Sequence, residues 1–346
     1  MTSSDDGGGD RLARALVPYL IPDPAAAGGV LLAVSGGPDS TALLHAAAAA
    51  GGGIALAVAT VDHGLRPEAA GEAEAVAALA RTLGLLHSTL RWETPPQGGI
   101  QAAARAARYR LLAAHAAEIG ARRVLTAHTA DDQAETVLMR LIAGSGPAGL
   151  AGMRRERPLA EGIRLVRPFL GLPKAALVAY CEAHALPFLR DPSNADDRFA
   201  RTRLRTLMPQ LATEGLTAER LTRLAGRLAR DETALAQAAA GLLDSVRRPA
   251  PSGTLILDGQ ALLAAPEALA LRVLDLALEA VQPDPCLAVP RRLERLERLV
   301  LDALRPALAK GERLRRTLRG AMIETAPDGT IRVAPAPPRR NSEEGS

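Results

Sequence analysis

Short apolar runs alternate with helical periodicity through the first half of the chain. Residues 30–34 suit a buried strand, and residues 41–50 suit an Ala/Leu helix stopped by the glycines at 51–53. Residues 54–61, 87–92 and 124–127 read as further strands, and 69–83, 100–119 and 131–143 as the helices between them. Repeated βα units predict a doubly wound, mostly parallel α/β sheet, with ligands at the carboxyl ends of its strands. Beyond Arg157 the pattern loosens: residues 165–169 suit an edge strand, and 173–186 a helix with Pro173 near its start. From Thr217 the chain reads as a separate, mainly helical domain. Leu221, Leu224, Leu228 and Leu235 recur at helical spacing, and Leu293, Leu296, Val300 and Leu304 do so behind Pro290. Residues 321–325 and 330–333, joined through Pro327-Asp328-Gly329, read as a hairpin. The expected organisation is a flexible N-terminus at 1–26, a catalytic α/β domain at 27–212, a mainly helical C-terminal domain at 213–334 and a disordered tail at 335–346.

Composition narrows the class. A length of 346 residues suits roughly two domains. Aromatics make up only 2% of the chain, while Ala and Leu dominate, which favours helices on a small-residue sheet over an all-β fold. No run of about 18 apolar residues predicts a membrane span. Residues 1–10 are rich in Ser, Asp and Gly and have no secretory pattern. Cys181 and Cys286 form no metal or disulfide spacing, so a reducing cytoplasm is the expected setting.

Net charge is only +4, but 40 of the 42 basic residues are arginine, Lys174 and Lys310 being the two lysines. Composition bias accounts for much of that excess. The clustering is more telling: between Arg201 and Arg230 seven arginines face two glutamates, a stripe that suits a polyanion.

The chemistry concentrates after the first strand. Val34 leads directly into Ser35-Gly36-Gly37-Pro38-Asp39-Ser40 and then a helix. Two glycines let the backbone curl and bring amides close to an oxyanion, and the helix directs its positive end there. Ser35 and Ser40 add hydroxyl donors. A carboxylate at Asp39 would repel phosphate unless a cation lay between them, so Asp39 is expected to contact Mg²⁺ shared with a polyphosphate. A Walker-type loop is ruled out, because neither lysine follows such a glycine run. The GxGxxG at 144–149 follows a helix and not a strand, so it is no dinucleotide fingerprint.

The loop at 35–40 resembles that of the N-type ATP pyrophosphatases, also called the PP-loop superfamily. Further motifs extend the likeness. They are Asp62-His63-Gly64-Leu65-Arg66, Ala104-Arg105 with Arg108-Tyr109, and the run from Ala127 through His128, Asp131, Asp132 and Glu135 to Thr136. Gly144-Ser145-Gly146, Arg167-Pro168-Phe169-Leu170, Asp191-Pro192-Ser193-Asn194 and Arg201-Thr202-Arg203-Leu204-Arg205 follow. In this order the set resembles the tRNA(Ile)-lysidine synthase family, closely over residues 31–211 and in its compact form. Thr129 stands where the family usually has a second histidine, and Thr202 where it usually has asparagine.

The resemblance implies an ATP- and Mg²⁺-dependent ligase. ATP would adenylate the C2 oxygen of the wobble cytidine in the CAU anticodon of tRNA(Ile), and the ε-amine of free lysine would then displace AMP. The loop residues and His63 would line the nucleotide pocket. Asp132 and Glu135, three apart on a helix, would hold lysine, and Arg108 would approach the adenylate. Arg201, Arg203 and Arg205 would grip phosphate. They lie on one side if the segment is extended, whereas Arg201 pairs with Arg205 if it is helical. Asp131 would be a second metal contact or a helix cap. The expected partners are tRNA and lysine, with no membrane and with a homodimer among the assemblies the resemblance admits. Two other readings compete: a tRNA thiolase of the same superfamily, which would need cysteine sulfur chemistry, and a non-catalytic tRNA-binding protein.

Overall fold

The computed structural model describes residues 6–22, 28–51, 53–64, 68–92, 100–189, 200–282 and 293–337. Leu65, Arg66, Cys286 and the residues at 191–194, 290–292 and 338–346 lie outside them. The chain divides into two compact units, Met1–Gly144 with Gly149–Arg227, and Ser145–Ala148 with Leu228–Ser346.

From the N-terminus the elements run α1 (Asp6–Leu20), β1 (Gly29–Ala33), α2 (Pro38–Ala50), β2 (Leu56–Asp62), α3 (Ala69–Thr82), β3 (Leu86–Arg91), α4 (Ile100–Glu118) and β4 (Ala121–Leu125). They continue with α5 (Ala130–Ile142), α6 (Pro147–Leu150), β5 (Glu156–Ala160), β6 (Ile163–Val166), α7 (Lys174–Ala183), α8 (Ala200–Thr213) and α9 (Ala218–Val246). The sheet of the first unit has the order β3-β2-β1-β4-β6-β5. Every pairing in it is parallel except β5 with β6. This is the doubly wound α/β fold that the βα alternation predicts. Alternation along β1 sorts its side chains to two cores. Val30 and Leu32 pack with Leu43 of α2, Val76 of α3 and Leu177 of α7, while Leu31 packs with Leu112 of α4 and Leu165 of β6. Because β1 lies between β2 and β4, the connections leave it in opposite directions, and a crevice opens at the carboxyl ends of β1 and β4.

Three expectations are corrected. Within the N-terminus expected to be flexible, residues 6–20 form α1: Leu12, Leu16 and Leu20 recur every four residues, line one side of it and are fully or nearly fully buried in the main core. The Gly- and Asp-rich start hides that stripe, since its helical pattern begins only at Leu12. Next, β6 is not an edge strand. It pairs with β4, and β5 covers it as the antiparallel edge. Finally, the division between units falls within α9, at 227/228, and not after 212. Leu221 and Ala225 of α9 bury against Ala134 and Leu138 of α5 and Leu204 of α8, which ties the start of this helix to the first unit.

In the second unit the rest of α9 is followed by β7 (Arg247–Arg248), β8 (Leu255–Asp258), α10 (Gly259–Ala264) and α11 (Glu267–Ala280). Then come α12 (Leu293–Glu297), a π-helical stretch (Arg298–Leu304), α13 (Arg305–Lys310), β9 (Arg315–Leu318), β10 (Ala321–Thr325) and β11 (Thr330–Pro335). Helices predominate, as expected, and the expected hairpin is β10 with β11. The sheet is larger, with the order β7-β8-β11-β10-β9. The extra strands are short, and two of them are led by paired arginines, so they lack the apolar alternation that signals a strand. Leu255, Leu257, Ile323, Ile331 and Val333 supply the buried face. On the opposite face Arg248, Ile256, Arg332, Glu324 and Arg315 stand in one register across the five strands.

The packing of α1 yields a test. Leu16→Ala should cost about 2–5 kcal/mol, because it opens a cavity under a fully buried side chain. The measurement is the urea midpoint, and an unchanged midpoint would show that α1 adds nothing to the core.

Candidate active site

The loop from Ser35 to Ser40 turns tightly from β1 into α2. Gly36 takes a left-handed φ of 84°, and a Cβ there would meet Leu189 Cδ1 at 2.8 Å. The left-handed backbone therefore calls for glycine, and a Cβ would also push the tip of Leu189 aside. A Cβ on Gly37 would meet nothing within 4 Å, so the space over that residue is open. Pro38 begins the helix, where its missing N–H costs nothing. Within the turn the Ser35 backbone N–H donates to Ser40 Oγ (3.2 Å), and Ser40 Oγ donates to the Gly37 carbonyl (3.0 Å). Thr41 Oγ1 reaches the Gly36 carbonyl at 3.3 Å. The two serine hydroxyls thus hold the loop's shape and lie 3.3 Å apart.

Asp39 points into the crevice. Its Oδ2 accepts from Lys174 Nζ at 3.0 Å, while its Oδ1 is buried and without a hydrogen-bond partner. Burial raises the Asp39 carboxyl above the usual range, and Lys174 opposes the shift. Asp132 and Asp131 lie near enough to raise it further. The loop after β1 and the acidic start of α5 therefore share one crevice, as the sequence motifs predict.

At that helix start Thr129 caps α5. Its backbone N–H and Oγ1 donate to Asp132 Oδ2 at 2.9 and 3.1 Å, and its Oγ1 accepts from the Asp132 N–H. This reciprocal capping box gives Thr129 a defined task at the position where the family usually carries histidine. Burial pushes the Asp132 carboxyl up, but the Thr129 N–H, the neighbouring His128 and Arg201 outweigh it and hold the group below the usual range. Asp131 turns the other way, and its Oδ2 accepts the backbone N–H of Lys174 at 2.7 Å, capping α7. The expected cap at its own helix start falls instead to Thr129, and Asp131 serves the start of α7.

Glu135 sits one turn beyond Asp132 with its side chain only 3% exposed. Arg201 Nε donates to Oε2 at 2.7 Å and Arg205 Nε to Oε1 at 2.8 Å. Arg201 Nη2 also lies 3.5 Å from Asp132 Oδ1. Because residues 200–213 are helical, Arg201 and Arg205 share a face at i, i+4. The same periodicity turns Arg203 to the other side, where it is exposed. Arg201 and Arg205 are the two that meet the carboxylates, while Arg203 lies on another side of the helix.

A second group gathers after β2. The His63 ring stands edge-on to Trp92, with centroids 5.8 Å apart, and its Nδ1 is buried without a partner. Burial and then the positive charge of Arg108 lower its pKa, which keeps the ring neutral. His63 and Arg108 are thus close to each other, and Arg108 is exposed on α4. His128, at the end of β4, contacts Thr126 Oγ1 at 2.9 Å, and burial brings its pKa down to about 4. Both rings are therefore held neutral at neutral pH.

Lys174 and Arg167 escaped notice as site residues in the sequence. Arg167 is 2% exposed, donates from Nη1 to the Arg154 carbonyl at 2.7 Å and leaves Nε unpartnered. Its signal was the Arg-Pro-Phe-Leu motif. Lys174 had no local signal beyond being one of two lysines. Cys181 is fully buried, donates to the Pro38 carbonyl at 3.3 Å and has its thiol pushed up to about 11 by burial. A thiol kept protonated there is unsuited to sulfur transfer.

Among the described residues no helix is long and apolar enough to cross a membrane. A model of the PP-loop domain matches residues 11–211. The chain is 58% identical over 289 residues to tRNA(Ile)-lysidine synthase of Methylobacterium nodulans, covering 83% of this chain and 84% of that protein. It is 49% identical over 298 residues to the synthase of Rhodopseudomonas palustris, again covering 83% and 84%. Among solved structures, the U34-tRNA thiolase NcsA from Methanococcus maripaludis aligns with a TM-score of 0.55 at 16% identity, over 64% of this chain and 78% of that one. That likeness concerns the fold alone. Taken with the glycine loop, the acidic helix start and the parallel sheet that brings them together, these relatives show that the chain belongs to the tRNA(Ile)-lysidine synthase family of PP-loop enzymes.

Proposed function

We propose that this enzyme converts the wobble cytidine of the CAU anticodon of tRNA(Ile) to lysidine. The C2 oxygen of the base attacks the α-phosphorus of ATP and pyrophosphate leaves. The ε-amine of free lysine, as the free base, then attacks C2. The new C–N bond forms as the bond from C2 to the AMP oxygen breaks, and the amine proton passes to a carboxylate or water. The observation that carries this reading is the placement of Asp39, in an open glycine turn, beside the acidic first turn of α5.

The parts divide the labour. The turn from Ser35 to Ser40, with the N-terminus of α2, is the cradle for the leaving pyrophosphate. The unpartnered Oδ1 of Asp39 suits Mg²⁺, which takes one or two protein carboxylates and completes its shell with phosphate oxygens and water. When bound, that ion would neutralise charge on the departing phosphates. Asp132, held ionised, is the acceptor for the amino groups of lysine. Glu135 lies on the same face with both oxygens already taken by Arg201 and Arg205, so it keeps those cations beside Asp132. Neutral His63 and cationic Arg108 line the adenylate side.

An anticodon loop presents unstacked bases, so the cytidine can enter a pocket at low cost. The arginines on the outer sheet face of the second unit, Arg248, Arg332 and Arg315, offer phosphate contacts for the tRNA body. With aromatics at 2%, such contacts should outweigh base stacking. A cytoplasmic setting accords with this substrate.

The primary test is mass spectrometry of the anticodon nucleosides after incubation with ATP and lysine. Pyrophosphate should form with ATP and the CAU tRNA, and AMP release should require lysine as well; release of AMP with cysteine in place of lysine would sink the reading. Asp39→Asn should lower AMP formation by about 100-fold or more while leaving the melting temperature near that of the parent. Asp132→Asn should raise the KM for lysine by roughly 10- to 100-fold with little change in ATP binding. Lysine kinetics indistinguishable from the parent would remove Asp132 from the lysine site.

A further inference from the structure

We infer that Lys174 is a phosphate-binding residue of this active site, contacting the β and γ phosphates of ATP and then the pyrophosphate. The inference rests on the ATP-binding reading of the loop and adds a residue from a different part of the chain.

Three observations converge on it. First, Lys174 Nζ lies 3.0 Å from Asp39 Oδ2, inside the mouth of the glycine turn, and its side chain remains 42% exposed. An ammonium has three donors, so one can stay on Asp39 while the other two face the crevice. Secondly, α7 is clamped where it must be for this reach. Asp131 Oδ2 holds the Lys174 backbone N–H at 2.7 Å, and Cys181, seven residues on and hence on the same helix face, donates to the Pro38 carbonyl at 3.3 Å. The first tether joins α7 to the start of α5 and the second joins it to the phosphate loop. Both ends of the crevice therefore fix where the lysine begins. Thirdly, the Asp39 side chain is mostly enclosed, at 21% exposure, so its carboxylate needs a counter-charge before a ligand arrives. Lys174 meets that need and is already in place when phosphate enters.

The mode of contact matters. A lysine bound to one carboxylate oxygen leaves the other oxygen, Oδ1, without a protein partner. Arg201 and Arg205 meet Glu135 so as to occupy both of its oxygens. At Asp39 the single ammonium leaves half the carboxylate for a cation and most of its own donors for the anion. Lys174 thus acts as a point charge shared between Asp39 and the polyphosphate.

This chain has only two lysines, Lys174 and Lys310, so protection from an amine-reactive reagent can be read on the unaltered protein. The full chain would be treated with an acetylating ester in Mg²⁺ buffer, without free lysine, and both sites quantified by mass spectrometry. Lys310, exposed at the end of α13, is the internal reference. Saturating ATP or inorganic pyrophosphate should slow acetylation of Lys174 several-fold relative to Lys310, whereas AMP should not. In parallel, calorimetry on Lys174→Met should show ATP and pyrophosphate binding weakened by roughly 10- to 100-fold, with AMP binding unchanged and Lys174→Arg recovering most of the loss. Equal acetylation rates while calorimetry shows ATP bound would overturn the inference and leave the loop assignment standing. Protection by AMP equal to that by ATP would also overturn it, since the contact would then not be with the β and γ phosphates. A protein that binds no ATP would overturn both.

Discussion

A carboxylate buried at the mouth of a parallel sheet persists only where a positive group meets it, and here the contact between Lys174 and Asp39 supplies that group. The two residues are far apart in sequence. They meet because α2 and α7 pack on the same face of the sheet, through Leu43 and Leu177 in one core with Val30 and Leu32. Burying this apolar surface sets the angle at which α7 arrives, and the Asp131 cap sets where it starts. The polar geometry of the crevice is therefore a consequence of the hydrophobic layer beneath it. Removing Lys174 would leave the more enclosed carboxylate without its counter-charge, the costly outcome for such pairs, whereas neutralising Asp39 leaves a lysine that can turn to solvent.

The second dependence is local. α5 must begin at residue 130 for Asp132 and Glu135 to project into the crevice, and Thr129 enforces that start by capping. The same carboxylate that accepts the cap bonds is the one proposed to receive lysine. Oδ2 of Asp132 is committed to Thr129, while Oδ1 faces Arg201 at 3.5 Å. The helix start thus orients a functional carboxylate with the hydrogen bonds that also stabilise the helix. Glu135 stands one turn on, almost fully buried, and is neutralised from two sides by a neighbouring helix. Such a group is a fixed part of the wall, and its two arginines make α8 part of the site.

Much of this was legible in the chain. The βα alternation predicted the parallel sheet, and the strand-to-helix placement of Ser35-Gly36-Gly37-Pro38-Asp39-Ser40 identified the phosphate loop, because both signals are local. Strands need apolar runs, tight turns need glycine and helix starts need caps. The α1 stripe was present too, at Leu12, Leu16 and Leu20, but the glycines before it masked its beginning. The short strands β7, β8 and β9 were not legible, since a strand of two to four residues carries too few alternations to show a period.

By itself, then, the sequence determined which backbone segments curl, extend or coil, and which residue types stand at the ends of β1, β2 and β4. Only the tertiary structure decided which of those residues meet. It placed Lys174 on Asp39, turned Asp131 to α7 and Asp132 to the crevice, and resolved three alternating arginines into two that hold Glu135 and one, Arg203, on another side of the helix. The physical reason is that local structure follows from neighbours in the chain, whereas the partner of a buried charge is chosen by how whole helices pack on the sheet.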